Sequence, residues 1–196
     1  MKYTIFKVVL LTFVLLLTSC ASDGSKKNQT PLSKSQKSSP QYLREKIKTM
    51  EDSMAKFNAS NVSTAAYNLS QLELINRLEE YYKTYPKDTF SANCLFKMHM
   101  LYSGMNAHVK SVAYGDSLLK AFPNNANRFL LLESMISSCD MFITPRDTAA
   151  MRRYCQMLLL DKNYSEFKKQ EIRNRLKFIS LPLMDYAAKR NDFKMQ

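Results

Sequence analysis

Two histidines and three of the four cysteines are the residues that could make this 196-residue chain a catalyst or a metal protein. Cys94 and His99 are five positions apart, which places them on diverging faces of a helix, and no third group that would orient the histidine is recognisable. No two cysteines have the C-x-x-C spacing of a metal site. We therefore expect no metal and no cofactor, with His99 packed between helices and His108 in a loop.

Cys139 and Cys155 follow in the last third of the chain, on successive predicted helices and about equally far from the turn near Pro145. This placement is compatible with a disulfide in an oxidising compartment. The alternative is that both are small core residues, the more frequent role of a helical cysteine.

The sequence also contains no residue pattern that supports acid–base catalysis or phosphate binding. The acidic pairs Glu51–Asp52 and Glu79–Glu80 are adjacent in sequence, so their carboxylates point apart on a helix. Only three glycines occur in the chain, too few and too scattered for a loop that cradles phosphates. We expect neither enzymatic activity nor a small-molecule substrate.

The fourth cysteine, Cys20, directly follows an apolar run. Two lysines precede residues 8–17, which have the length of a signal-peptide core and are too short to span a bilayer. The residues Leu17-Thr18-Ser19-Cys20 resemble the bacterial lipobox. That resemblance implies signal cleavage between Ser19 and Cys20 and a diacylglycerol on the Cys20 sulfur; an ordinary secretory signal is the alternative.

The residues after Cys20 indicate the destination and a tether. Ala21 and Ser22 replace the aspartate that retains enterobacterial lipoproteins at the inner membrane, so resemblance to that sorting rule implies an outer-membrane, periplasm-facing protein. Residues 21–40 hold one large apolar side chain, Leu32, and are predicted to be disordered. The net charge of +12 suits nucleic acid in principle, but this address excludes it.

Residues 41–196 are predicted to form the folded domain, and all of it helical. Few glycines and long Leu/Lys/Glu-rich stretches favour an all-α fold. Ser39 and Pro40 suit a helix start, and an apolar stripe follows at 4-3-4-3 spacing from Leu43 to Phe57. Further helices are predicted over 64–85, 89–106, 109–125, 126–145 and 146–163, with a capping helix from 164 that Pro182 kinks or ends.

An aromatic-proline helix end recurs in this domain: Tyr85-Pro86 matches Phe122-Pro123 at a period of 37. With the runs YYKTYPKD and LFKMHMLY, residues 64–163 resemble the tetratricopeptide repeat family, and more narrowly the small repeat lipoproteins of Bacteroidota. The resemblance implies stacked antiparallel helical hairpins, a TPR-like α-solenoid closed by a terminal capping helix. Gly115 and Leu118 depart from the pattern, which commonly has an aromatic residue and an alanine there.

Stacked hairpins present a concave surface that accepts a protein or peptide segment. We expect an interaction scaffold of the cell envelope, with an acidic partner segment held by four candidate groove contacts: Lys97, Arg128, Arg152 and Arg153. The alternative is an envelope-anchoring protein whose basic tether and basic cap bind cell-wall polymer.

Overall fold

The computed structural model describes residues 34–58 and 63–194 of the chain. All its elements are helical, and no strand occurs within these residues, which confirms the predicted all-α fold. The nine α-helices and one π-helical turn are α1 (Lys34–Lys37), α2 (Pro40–Asn58), α3 (Thr64–Thr84), α4 (Thr89–Gly104), α5 (His108–Ala121), α6 (Arg128–Ser137), the π turn (Ser138–Phe142), α7 (Thr148–Leu160), α8 (Glu166–Lys177) and α9 (Leu183–Lys194).

Side-chain oxygens accept backbone N–H bonds at four helix starts, which fixes where α2, α3, α4 and α7 begin. The capping residues are Ser39, Ser63, Asp88 and Asp147.

The two aromatic-proline helix ends are alike in structure. Tyr85 ends α3 with φ −131° and ψ 61°, and Phe122 ends α5 with φ −136° and ψ 69°. These two helix ends therefore share one backbone geometry.

The core lies along the helices, with large side chains contributed by each helix from α2 to α7. The predicted stripe of α2 is buried at Leu43 and Ile47, which are 2% and 1% exposed. Leu78 and Tyr81 of α3 are fully buried. Phe57, the last residue of the predicted stripe, has a side chain outside the described part.

From α2 to α8 successive helices pack against each other, and polar side chains also connect each helix with the next but one. Such connections are expected where hairpins stack. They join Glu51 with Lys97 (α2 and α4), Glu79 with Tyr114 (α3 and α5), His99 with Ser134 (α4 and α6), Asp116 with Tyr154 (α5 and α7) and Glu133 with Lys168 (α6 and α8).

Gly115 lets α5 approach α6 closely. A Cβ atom built at this position would lie 2.6 Å from the Met135 sulfur. Met135 is fully buried, so its side chain occupies the space that an aromatic residue at position 115 would need. The departure from the repeat pattern at Gly115 thus has a packing reason.

The structure departs from the predicted helix over 126–145. Helix α6 ends at Ser137, and the chain continues as a π turn in which Ile143 N donates to Ser138 O at 3.0 Å. Buried Asp140 explains the change, because it accepts hydrogen bonds from both Arg146 and Arg175. A tertiary ion network, which periodicity does not encode, determines this segment.

The two ends of the domain also differ from the sequence prediction. Residues 34–37 form a helical turn inside the segment predicted to be disordered. At the other end α8 stops at Lys177, and a separate helix, α9, starts directly after Pro182. The cap is consequently a pair of helices and not a single one.

Candidate functional site

A cleft lies between the start of α4 and the loop from α5 to α6. Its volume is about 460 Å³, and Thr89, Ala92 and Asn93 form one wall. The opposite wall is formed by residues 121–127, which include Asn124, Asn125 and Asn127. The remaining lining is apolar, so the cleft combines methyl and ring surface with side-chain amides.

The loop wall is fixed by its own hydrogen bonds. Asn125 donates to the Phe122 carbonyl through both its backbone N–H, at 3.1 Å, and its Nδ2, at 2.9 Å. Arg128 Nη1 donates to the Pro123 carbonyl at 3.1 Å. Because Pro123 also restricts its own backbone, the wall is held before any ligand arrives.

The α4 wall is fixed from another helix. Asp88 caps α4 by accepting from Phe90 N at 2.7 Å, and Arg44 of α2 donates to both Asp88 carboxylate oxygens at 2.8 and 2.9 Å. Arg44 also donates to the Tyr81 hydroxyl at 2.8 Å. The first turn of α4, which supplies Thr89, Ala92 and Asn93, is therefore anchored to the hairpin before it.

The cleft suits binding better than catalysis. Its lining residues in the described structure are Thr, Asn, Ala, Phe and Pro, none of which titrates near neutral pH. An asparagine side chain both donates and accepts, as does the backbone of an extended peptide. This arrangement can hold an uncharged polar chain while its apolar walls cover side chains.

Three of the four predicted groove contacts are occupied by acidic partners on neighbouring elements. Lys97 pairs with Glu51, Arg153 pairs with Asp116 at 3.1 Å, and Arg128 lies 3.6 Å from Asp161. Arg152 is exposed on α7. The structure does not gather the four into one basic groove; only Arg128 borders the cleft, through its bond to Pro123.

The amide cluster is the functional feature that the sequence prediction missed. The signal is three asparagines in the stretch Pro123-Asn124-Asn125-Ala126-Asn127, which the sequence pattern predicts only as a helix end. Asn93, on the other wall, is separated from it by about thirty residues and one hairpin. Only the fold brings the two together.

The thiols of Cys94, Cys139 and Cys155 are buried and free, so the disulfide between Cys139 and Cys155 is absent from the structure and the core alternative holds. Burial raises the pKa of Cys94 to about 12 and of the other two to about 11. At neutral pH all three stay protonated, and a protonated thiol is a poor nucleophile.

His99 is fully buried between hairpins, as predicted. Its Nδ1 donates to the Ser111 carbonyl at 3.0 Å, and its Nε2 accepts from the Ser134 hydroxyl at 2.9 Å. Burial lowers the pKa of His99, so the ring is neutral and serves as a connector. Both ring nitrogens of His99 are therefore hydrogen-bonded to serine residues, and neither is bonded to Cys94.

The expectation of a loop position for His108 is wrong. His108 is the first residue of α5, is only 8% exposed and stacks on Phe142 with ring centroids 4.3 Å apart. The π turn, which the sequence did not predict, carries Phe142 over the imidazole. His108 Nε2 and Asn125 Oδ1 are the buried side-chain atoms without a hydrogen-bond partner in the described structure.

Within residues 34–58 and 63–194, no group of three or more His, Cys, Asp and Glu side chains is placed to hold a metal ion. No helix in this part combines the length and the apolar character needed to cross a bilayer. The predicted lipidation site, Cys20, and the cleavage position after Ser19 lie outside the described residues.

Comparison of the chain with family models, with curated proteins and with solved structures finds no match in any of the three.

Proposed function

We propose that this protein is a cell-envelope interaction scaffold that holds an extended peptide segment of a partner protein in the amide-lined cleft. The observation that carries the proposal is the lining of that cleft: side-chain amides on both walls, apolar surface between them and no titratable group. Backbone recognition by such amides needs no particular partner charge. The occupied cations Lys97, Arg128 and Arg153 remove the reason to expect an acidic partner.

The size of the cleft agrees with a short stretch of chain. Its 460 Å³ lies in the lower half of the range of about 300–1,000 Å³ typical of ligand pockets. The preformed walls reduce the entropy lost on binding, since neither the loop nor the first turn of α4 must be ordered. The stacked-hairpin arrangement belongs to this proposal, and it is supported by the polar connections between every helix and the next but one from α2 to α8.

Site-specific photo-crosslinking in the native host tests the proposal. A benzophenone side chain is placed at Asn124 in the cleft wall or, as a control, at Lys162, which is exposed outside the cleft. We expect the Asn124 probe to crosslink one recurrent protein through a single contiguous segment, and the Lys162 probe to give no such product. The crosslink should survive high salt, since apolar and amide contacts are not screened.

Alanine substitutions add a matched comparison. Asn93→Ala and Asn127→Ala each remove an amide from a cleft wall and should weaken binding of the crosslinked segment by about 0.5–1.5 kcal/mol. Asn163→Ala removes an exposed amide elsewhere and should leave binding unchanged. Equal crosslinking from both probe positions, or capture of only cell-wall fragments that high salt releases, would contradict the scaffold and favour polymer anchoring.

We further propose that Cys20 carries the lipid and places the scaffold at the outer membrane, facing the periplasm. The lipobox-like residues 17–20 support this, and a two- or three-chain anchor is sufficient for stable membrane attachment. Metabolic labelling with an alkyne-bearing palmitate should mark the wild-type protein and the control Cys94→Ala, and should fail for Cys20→Ser. Labelling that persists in Cys20→Ser would refute the anchor.

A further inference from the structure

The positive charge of the domain is concentrated at its C-terminal end. Residues 164–196 contain eight lysines and arginines against four acidic residues, a surplus of four charges. The much longer stretch 41–163 contains fifteen against twelve, a surplus of three. The cap formed by α8 and α9 is therefore the most basic part of the folded domain.

Four cations of α8 have acidic partners. Lys168 binds Glu133, Lys169 and Arg173 lie beside Glu166, and Arg175 binds Asp140. Four of the five basic residues of the cap helix α8, which the sequence makes candidates for polymer binding, are thus used in ion pairs.

Three further cations have no ion pair within the described part of the chain: Lys177 of α8, and Lys189 and Arg190 of α9. They line one cavity of about 320 Å³ between the two helices, together with Asn174, Phe178 and Tyr186. No acidic side chain of the described residues lines it. Among the described residues, three positive charges thus surround one space that no acidic side chain lines, and Arg190 also borders a neighbouring pocket lined by Glu133 and Glu171.

Two aromatic rings form the apolar part of this cavity. The centroids of Phe178 and Tyr186 are 6.0 Å apart, with the rings inclined at 35°. The Lys189 ammonium lies 4.9 Å from the Phe178 centroid, and the Arg175 guanidinium lies 5.0 Å from the Tyr186 centroid. Arg175 already has Asp140 as its partner, whereas Lys189 is held over the Phe178 ring without a carboxylate among the described residues.

Buried Arg175 fixes the geometry of the cavity. It donates to the carbonyl oxygens of Phe178 at 2.7 Å and Leu181 at 2.8 Å, and so holds the connection between α8 and α9. Since Arg175 is itself bound to Asp140, the two walls are positioned by the interior of the protein. The cavity exists without a ligand.

The helix dipole accounts for the position of only one of the three cations. Lys177 stands in the last turn of α8, where the helix dipole favours positive charge on its own account. Lys189 and Arg190 belong to a different helix and still converge on the same cavity. Their convergence requires another reason.

We propose that this cavity is a binding site for a phosphate monoester. A dianionic phosphate balances three cations better than a single carboxylate does, and the planar arginine fork matches phosphate oxygens. The cavity is larger than a phosphate group, so a sugar ring or glycerol unit bearing the phosphate enters beside Phe178 and Tyr186. This site shares no residue with the amide-lined cleft and goes beyond the proposed scaffold function.

Calorimetric titration of the full chain with glucose 6-phosphate tests the site directly. Arg190→Gln and Lys189→Gln should each weaken binding about tenfold, the effect of losing one charge-assisted hydrogen bond of roughly 1.4 kcal/mol. Lys87→Gln and Lys120→Gln remove one exposed charge each from the hairpins and should change affinity less than about twofold, as expected for distant screened charges. Circular dichroism confirms that all four variants remain folded.

The source of the phosphate is distinguished by vesicle sedimentation. Phosphatidylcholine vesicles containing phosphatidic acid present a monoester, and vesicles containing phosphatidylglycerol present a diester. Arg190-dependent binding of the phosphatidic acid vesicles assigns the site to a lipid headgroup; binding of glucose 6-phosphate alone assigns it to a soluble or polymer-borne sugar phosphate. No saturable binding of either, equal loss in the lysine controls, or equal Arg190-dependent binding to both vesicle types overturns the proposal.

Discussion

In the hairpin region, residues 34–163, and in the C-terminal cap, residues 164–194, basic side chains pair with acidic residues, but the cap also gathers cations around a cavity. In the hairpins, cations such as Arg44, Lys97 and Arg153 reach acidic residues on other helices. In the cap, Lys177, Lys189 and Arg190 meet at a cavity with no described acidic lining. The first arrangement connects helices, and the second leaves charge available to a ligand, although the sequence around both is rich in lysine.

The strongest way to break this contrast is to detach the cap from the hairpins. Asp140 is 6% exposed and binds both Arg146 and Arg175, so Asp140→Ala leaves two guanidinium groups without their carboxylate. We expect a loss of about 3–5 kcal/mol in the free energy of unfolding, measured with urea. Hydrogen exchange should show the loss first in α8 and α9.

The control for this variant is Asp161→Ala, which removes a carboxylate 3.6 Å from Arg128 in a partly exposed pair. It should cost less than about 1 kcal/mol. Similar costs for the two variants would mean that Asp140 does not join the regions.

Truncating one apolar side chain in each region compares how tightly the hairpins and the cap are packed. Leu131 of α6 is fully buried, and Leu131→Ala should cost about 2–5 kcal/mol of unfolding free energy. Ile172 of α8 is only partly buried, so Ile172→Ala should cost less than Leu131→Ala in the same urea experiment. An equal or larger cost at Ile172 would show that the cap is packed as tightly as the hairpins.

Acidification should weaken the hairpin core through His99. Its folded pKa is lowered, so the unfolded chain takes up a proton that the folded chain does not, and stability falls as the pH drops below the unfolded value of about 6.5. The slope reaches at most about 1.4 kcal/mol per pH unit. Urea unfolding from pH 7.5 down to about 5.5 should show this slope in the wild type and a shallower one in His99→Gln; identical slopes would contradict the buried neutral ring.

The smallest expected effect concerns a predicted groove contact. The Lys97–Glu51 pair is partly exposed, with 40% and 32% of the two side chains accessible. Lys97→Gln should therefore change the free energy of unfolding by less than about 1 kcal/mol. It should also leave partner crosslinking from Asn124 unchanged; a loss of the crosslink would restore Lys97 as a binding residue.

Local signals in the sequence were sufficient for several helix ends. Ser39-Pro40, Asp147 and the aromatic-proline pairs each act through the backbone next to them, so these ends were predictable within a few residues. The π turn was not, because Asp140 meets Arg175 only across 35 residues. Helix α9 was missed for a different reason: Pro182 ends one helix, but it equally well precedes another.

The candidate sites depended on the fold to a greater degree. Lysines and arginines are recognisable in any sequence, but whether Lys97 faces a partner or Glu51 is decided by how α2 packs beside α4. The amide cleft joins Asn93 to Asn127, and the cap cavity joins Lys177 to Arg190, in each case from separate helices. Chemistry that is assembled across helices leaves no local pattern to find.

The shared carboxylate of Asp140 also sets an order of events during synthesis. At about 5–20 residues per second, the ribosome adds Arg175 roughly 2–7 s after Asp140. Arg146 is the only one of the two cations present during most of that interval, so the π turn can reach its full set of bonds only once the last turn of α8 is made. A nascent chain stopped before Arg175 therefore leaves Asp140 with Arg146 as its single described cationic partner.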